Sequence, residues 1–555
     1  MHTAFRALER HLLVACFALI LAPVAAHGLW RPLLVALGGD ATGMAPRVTI
    51  ASLGISAYSL VAMRALHHKG AGIRAAAACL PAIFAAVALG GGPALALALL
   101  AAVGTTLFIA AACITRMPAE LDGLLTSHRG WMAAWIILAI AVVVKSALLS
   151  TFIGDPAHPQ YSLFPKEPFL VHHSCLSGYV YAAERFLDGE ANIFDASHMP
   201  PREVVWNPRF APFHVDRFPN PPTFLLVALG LVKTVSGFYA QRALWYGLCG
   251  MVIAATLWLV AQWVGGRRGA IALLLAPWVW LSWGYALQLG NSHALVMAAS
   301  MAGMLAFEKR RHVLGGGLLA AATLFKMSPG LLGVVLLVQR RWRDAALTFA
   351  AGILLVLLGL VVIGPKTHEA WFTYLVPRLA SGEYMSDLAR DARTITSNYG
   401  PFGIPFKLQL MGMDLDPWKV GRQIAKVYVV LVVGFAIFAA RRRDGRGNQA
   451  TMWLAVLSFA SLQTPFPPPY YLSTVYWIIS LVAGEIRSRG GAFVLTAVTF
   501  ATLAPAIPAP QAALAALSIA AQFVVLGILL WSILRKSEPV DPPQESPAEE
   551  PAIQA

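Results

Sequence analysis

Residues 154–222 read GDPAHPQYSLFPKEPFLVHHSCLSGYVYAAERFLDGEANIFDASHMPPREVVWNPRFAPFHVDRFPNPP, and long apolar runs lie on either side. The stretch holds His172, His173, Glu184, Arg185, Arg202, Arg209, Asp216 and Arg217 among many prolines. Irregular backbone of this kind would leave amide groups unpaired in hydrocarbon, so it forms an aqueous loop or a small folded cap on one membrane face. The flanking runs are then membrane helices. That reading decides the fold class: an all-α polytopic membrane protein, a multi-span helical bundle with a large extracytoplasmic loop or cap.

Composition agrees. Of 555 residues, 58% are hydrophobic and 12% charged, against about 25% charged in soluble domains. Mean hydropathy is +0.65. Many runs reach the ~20 helical residues needed to cross a hydrocarbon core. The net charge of +15 fits basic residues gathered in short cytoplasmic loops. A nucleic-acid binder would need a soluble basic domain, and none is visible. Four of the cysteines, Cys16, Cys79, Cys113 and Cys249, lie in apolar runs, where a thiol is usually a small buried hydrophobe. With Cys175 they form no CxxC pair and no Cys/His zinc spacing. Arg6 and Arg10 before an apolar run resemble a signal peptide; with so many later spans, an uncleaved first helix is the simpler reading.

Apolar runs at 12–38, 48–65, 75–90, 93–113 and 131–153 precede the large loop. After it come 222–238, 243–263, 269–287, 292–307, 313–339, 344–364, 423–440, 451–464, 471–484, 491–507 and 511–533. Basic clusters such as Arg64 to Arg74, Lys309-Arg310-Arg311, Arg340-Arg341 and Arg441-Arg442-Arg443 mark cytoplasmic loops. The expected organisation is a four-span extension at 1–130, a first core span at 131–153 and an extracytoplasmic catalytic loop at 154–222. Core spans follow at 223–364, with a broken hairpin at 313–339. A second outer loop occupies 365–422, C-terminal spans 423–534, and an acidic, proline-rich, disordered cytoplasmic tail 535–555. The N-terminus is expected in the cytoplasm and the chain in the inner (plasma) membrane. Four runs lie between Pro222 and Lys309, where an odd number of crossings is needed. One must be re-entrant or broken, and Pro277 makes 269–287 a suspect.

Lys326 sits in the middle of an apolar hairpin beside Ser328, Pro329 and Gly330. Proline and glycine break a helix there, and a lysine at that depth costs about 2.5–3.5 kcal/mol on insertion scales. The functional reading is a partner for a lipid phosphate; the bland one is a side chain that snorkels to the interface. Arg209 and Arg217 in the first loop, and Arg378 and Arg393 in the second, offer paired donors to phosphate. Singly, each is better read as solvated loop charge. Asp216 lies just before a span, where partial burial would suit a general base; its competing reading is a salt bridge. Asp155 has the same choice, with an N-cap before Pro156 as the alternative. Glu184 pairs naturally with a nearby arginine. His172 and His173 could serve as bases, while adjacent rings point apart, which makes a metal site the weaker option.

The run from Tyr181 to Gly189 with Ile193-Phe-Asp195 resembles a segment of glycosyltransferase family 87. So do Phe218-Pro-Asn-Pro-Pro222, Gly290-Asn-Ser, the block from Leu314 to Pro329 with Gln339-Arg-Arg-Trp342, and Ser397-Asn-Tyr-Gly400. The resemblance covers about residues 131–480. It implies a GT-C-type transferase, mannosyltransferase-like, that takes a sugar from a polyprenyl-phosphate donor and passes it with inversion to a glycan or glycolipid acceptor. A loop carboxylate would deprotonate the acceptor hydroxyl, and lysine and arginine would stabilise the leaving phosphate. His172, Tyr181, Asn220, Asn291, Asn398 and Tyr399 stand where substrate would bind. No nucleotide, redox cofactor or metal is expected. One departure matters: the family's usual catalytic Asp falls near Cys175, where this chain has His172-His173-Ser174-Cys175. Either His173 substitutes, or Asp155 or Asp216 reaches in, or the activity is lost or altered.

The alternative is a transporter or flippase for a lipid-linked or anionic solute, which would show internal repeats and midplane gating groups. No convincing half-to-half repeat is visible, and the polar residues gather on one face. A polymer ligase using lipid-linked sugars is a third reading. Sugar, acceptor and oligomeric state are not encoded in any motif.

Overall fold

The computed structural model describes residues 8–39, 43–114, 116–126, 129–195, 208–442, 445–484 and 510–534. Arg202, the expected span at 491–507 and the tail at 535–555 lie outside the described residues. The described chain is almost entirely helical, and ten helices are long and apolar enough to cross a membrane. It is an all-α polytopic membrane protein.

Five long helices open the chain: α1 (Leu8–Ala36), α2 (Ala45–Ala65), α3 (Ala71–Ala88), α4 (Gly92–Ile114) and α5 (Arg129–Gly154). Some of their buried hydroxyls pair between helices. The Ser56 and Thr106 hydroxyls are 2.7 Å apart, those of Thr49 and Thr151 2.8 Å. The Thr106 hydroxyl also donates to the Ala102 carbonyl of its own helix, at 2.9 Å. At the end where α1 begins, Arg10 pairs with Asp122 at 2.7 Å.

Next come the short α6 (Pro168–His172), strand β1 (His173–Ser174), α7 (Cys175–Leu187) and strand β2 (His214–Val215). The two strands pair in parallel, His173 with His214 and Ser174 with Val215. Helix α8 (Leu225–Thr234) follows, then α9 (Phe238–Val264), α10 (Gly266–Ser282), α11 (Gly284–Leu289) and α12 (His293–Glu308). Helix α10 passes through Pro277 and continues with α11 as a 24-residue apolar stretch. Two of the four runs are shorter helices: His293–Glu308, and Pro222–Thr234, about 20 Å at 1.5 Å per residue. Just beyond Thr234, Phe238 packs against Phe210 and Phe213 of the large loop.

Helices α13 (His312–Phe325) and α14 (Gly330–Val338) form a broken hairpin. Lys326 is extended at the break, and Pro329 has no amide hydrogen to continue the ladder. One loose carbonyl is claimed from outside: the Thr223 hydroxyl donates to Leu324 O at 2.8 Å. Both hairpin ends return to one side, where His312 meets Asp344 at 2.6 Å and Arg341 meets Glu308 at 2.6 Å. Helices α15 (Trp342–Ile363), α16 (Pro417–Ala440), α17 (Arg446–Ser461), α18 (Ser473–Ala483) and α19 (Gln511–Leu534) complete the described bundle. Short helices between 365 and 410 form a second loop region against the first: Arg217 meets Asp387 at 3.3 Å, Arg393 meets Glu167 at 2.7 Å, and the Tyr374 hydroxyl donates to Asp195 at 3.0 Å.

Candidate active site

The loop is fastened to the bundle by a buried arginine inside an apolar run. Arg242 donates to Phe152 O at 3.2 Å and Gln288 O at 3.1 Å, with its guanidinium 4.5 Å from the Phe213 ring centre. Carbonyls at helix ends lack partners within their own helices, so Arg242 holds α5, α11 and the loop in one arrangement. The Gln288 amide in turn accepts from Leu163 N at 2.9 Å and donates to Leu170 O at 2.9 Å.

On that base the strand pair brings two distant segments to one level. One residue beyond β1 is Cys175; one residue beyond β2 is Asp216. His173 Nε2 lies 3.3 Å from an Asp216 oxygen and 3.6 Å from the Cys175 sulfur. The His173 ring stacks on Phe169 with centres 4.6 Å apart. The other Asp216 oxygen accepts from Arg217 N at 2.8 Å, and Asp216 N donates to the Ser177 hydroxyl at 3.0 Å. The backbone lies hard against α7: a methyl on Gly178 would come within 2.7 Å of Asp216 O. Side chains of His173 and Asp216 are 12% and 13% exposed. Both open into a pocket of about 240 Å³ lined also by Pro168, Phe169, His172, His214 and Val215.

From Cys175 a chain of contacts leads to Lys326. Asn291 donates to the Cys175 sulfur at 3.2 Å and accepts from His293 N at 2.9 Å. The buried His293 ring stacks on Tyr471 at 4.0 Å, and the Lys326 ammonium lies 4.9 Å from the Tyr471 ring centre, a cation–π distance. Gly290, before Asn291, has a φ of +68°, and a methyl there would strike Leu176 at 2.8 Å. Only glycine fits that corner cheaply.

The remaining sequence candidates are placed as follows. Asp155 accepts from Ala157 N at 3.2 Å and pairs with His158 at 2.9 Å, capping the turn after α5. Glu184 faces Arg209 at 2.9 Å, and burial raises its pKa above the ordinary carboxylate value. It lies nine residues along α7 from Cys175, about 13 Å in helical rise. His172 Nδ1 is 3.1 Å from Pro212 O. Arg217 donates to Tyr384 O and lies over the Tyr384 ring. Arg378 stacks on Tyr374 at 3.9 Å and reaches Glu383 at 3.5 Å. Arg393 is exposed on its pair with Glu167. Tyr181 packs on Phe210 and under Arg185. Asn220 donates to the Ser292 hydroxyl at 3.3 Å. Asn398 donates to Pro465 O at 2.9 Å, and Tyr399 is buried near Lys407. The structure thus unites His173, Asp216, Asn291 and, through aromatics, Lys326. It leaves Asp155, Glu184, Arg209, Arg378 and Arg393 in pairings of their own.

His293, Tyr470 and Tyr471 were not singled out from the sequence. The usable signal was the run Pro467-Pro-Pro-Tyr-Tyr471 in an otherwise apolar region.

Fold and site together define a polytopic membrane protein with a polar, partly buried cleft at one end of its bundle. Residues 218–465 match the model of glycosyltransferase family 87, the family whose motifs the sequence resembles, and the match supports a glycosyltransferase. It begins two residues after Asp216, so the loop that carries His173 and Cys175 lies before it. No curated protein and no solved structure matches the chain.

Proposed function

We propose that this protein transfers a sugar, mannose in the family's pattern, from a polyprenyl-phosphate donor to a hydroxyl of a cell-envelope glycan or glycolipid. The reaction takes place on the extracytoplasmic face of the inner membrane, with the N-terminus in the cytoplasm. The observation that carries the reading is the set of contacts from Lys326 through Tyr471, His293, Asn291, Cys175 and His173 to Asp216. Its two ends have the opposite charges that the chemistry needs, and the end at Cys175 is where the resemblance expects a carboxylate.

In this mechanism the donor phosphate sits against Lys326 at the hairpin break. The acceptor hydroxyl enters the pocket beside Asp216 and His173. The acceptor O–H gives its proton to Asp216 as its oxygen bonds to the sugar C1. The C1–O bond to phosphate breaks on the opposite side, and the phosphate leaves with the electron pair, inverting the anomeric centre. Lys326 stabilises the growing phosphate charge where water is scarce. His173, stacked on Phe169, orients the carboxylate. Arg217 ties the Asp216 segment to the second loop, and Asn220, Asn291 and His172 border the sugar.

The test is transfer of radiolabelled mannose from polyprenyl-phosphate-mannose by purified protein in nanodiscs, using Asp216→Asn, His173→Ala and Asp155→Asn. Asp216→Asn should lose most turnover, His173→Ala a smaller part and Asp155→Asn little. Wild-type turnover in Asp216→Asn would sink the assignment of the base.

A further inference from the structure

We propose that His173, Cys175 and Asp216 form a binding site for a Zn²⁺-class divalent cation, with one coordination position open to the pocket. The sequence reading expected no metal here, because it considered only the adjacent pair His172 and His173. The fold assembles a different set: the three candidate ligand atoms all lie within 4.8 Å of one another.

Two of the three separations match those of a coordination tetrahedron. With Zn–N of about 2.0–2.1 Å, Zn–S of about 2.3 Å and Zn–O of about 2.0–2.2 Å, tetrahedral angles require N···S near ~3.6 Å and N···O near ~3.3 Å. The structure has 3.6 Å from His173 Nε2 to Cys175 Sγ and 3.3 Å from the same nitrogen to Asp216. Both contacts converge on one nitrogen. Nε2 carries at most one proton, yet it faces both a sulfur and a carboxylate oxygen. One cation between the three atoms accounts for both distances.

The surroundings suit bound ligands. Asn291 donates an N–H to Cys175 Sγ at 3.2 Å. Arg217 N holds the second Asp216 oxygen at 2.8 Å, and the Phe169 stack fixes the His173 ring. Such outer contacts orient metal ligands and tune affinity. Thiolate with imidazole selects zinc over magnesium, calcium or manganese, which prefer oxygen. Three protein ligands beside a pocket is the pattern of a site that keeps a place for water or substrate. A cation here would hold the acceptor oxygen at the position the family assigns to its carboxylate. The cation's part in transfer depends on the proposed function; its binding does not.

The experiment measures metal content of the full-length protein in nanodiscs after dialysis against Zn²⁺ and washing, and the absorption spectrum after Co²⁺ loading. About one ion per chain and a sulfur-to-cobalt charge-transfer band are expected. Cys175→Ser and His173→Ala should each weaken binding ~10-fold or more. Cys175→Asp, which keeps an anionic ligand, should still take up Co²⁺ but lack the sulfur band. Absence of stoichiometric metal, or metal that survives all three substitutions unchanged, would overturn the site. Stoichiometric metal without mannosyl transfer would leave the site standing and sink the proposed function. Full transfer by protein that binds no metal would do the reverse.

Discussion

The N-terminal helices and the loop end of the bundle handle buried polarity in opposite ways. In α1–α5 the polar groups are mostly hydroxyls that bond to each other or to a carbonyl one turn back, as Ser56, Thr106, Thr49 and Thr151 do. They cost little and hold helices together. At the loop end, charged and ring-nitrogen groups arrive from segments far apart in the chain: Lys326 from the hairpin break, Tyr471 from beyond α17, His293 from the start of α12, Asp216 from the loop. Gathering such groups where water is scarce is expensive, and the proposed transfer site gives a reason to do it. The contrast teaches which buried polar residues to alter for function and which for stability.

The largest effect should separate the two regions most sharply. Asp216→Asn is expected to lower kcat by about 10²–10⁴, the range of general-base catalysis, with Tm nearly unchanged; steady-state kinetics beside a thermal melt checks both. Next, Lys326→Met should raise the apparent donor KM about tenfold, or ~1.4 kcal/mol, and an unaltered KM would remove the phosphate role. Gly178→Ala touches no substrate but forces a methyl against Asp216 O. It should cost roughly 1–3 kcal/mol of stability as overpacking does and lower kcat by displacing the carboxylate. In the N-terminal helices, Ser56→Ala should cost about 1 kcal/mol and leave kinetics untouched; a kinetic effect there would blur the contrast.

A separate effect is a pH dependence of stability. Burial lowers the pKa of Lys407 in the second loop region to about 7 from 10.5. The unfolded chain binds the proton more tightly, so between pH 7 and 10.5 stability rises with pH as the folded amine loses its proton first. Below that window the burial cost is fully present. Lys407→Met should flatten the rise in Tm across it, and parallel wild-type and variant curves would contradict the assignment.

The all-α membrane class was legible because runs of about 20 apolar residues have few alternatives. The family likeness was legible from motifs spread along the chain, and residues 218–465 match that family's model. Asp216 was one of three groups considered to replace the missing carboxylate at Cys175. Its meeting with His173 was not legible, since two-residue strands have no periodic signal and their pairing is decided by long-range packing. The run at 222–238 was drawn too long for a related reason: hydropathy sums apolar residues but does not see that Val235 and Gly237 end the helix early. Arg242 was passed over because one arginine barely alters the mean of a long apolar run, yet its bonds to three helix-end carbonyls organise the loop.

The most direct measurement is a cryo-electron microscopy map of the protein in nanodiscs with polyprenyl phosphate. The phosphate should lie within hydrogen-bond reach of Lys326 Nζ, with the sugar position turned toward Asp216 and the pocket beside His173. Phosphate density instead among α1–α4, or on the face where Arg341 meets Glu308, would contradict a transfer site built at the loop end.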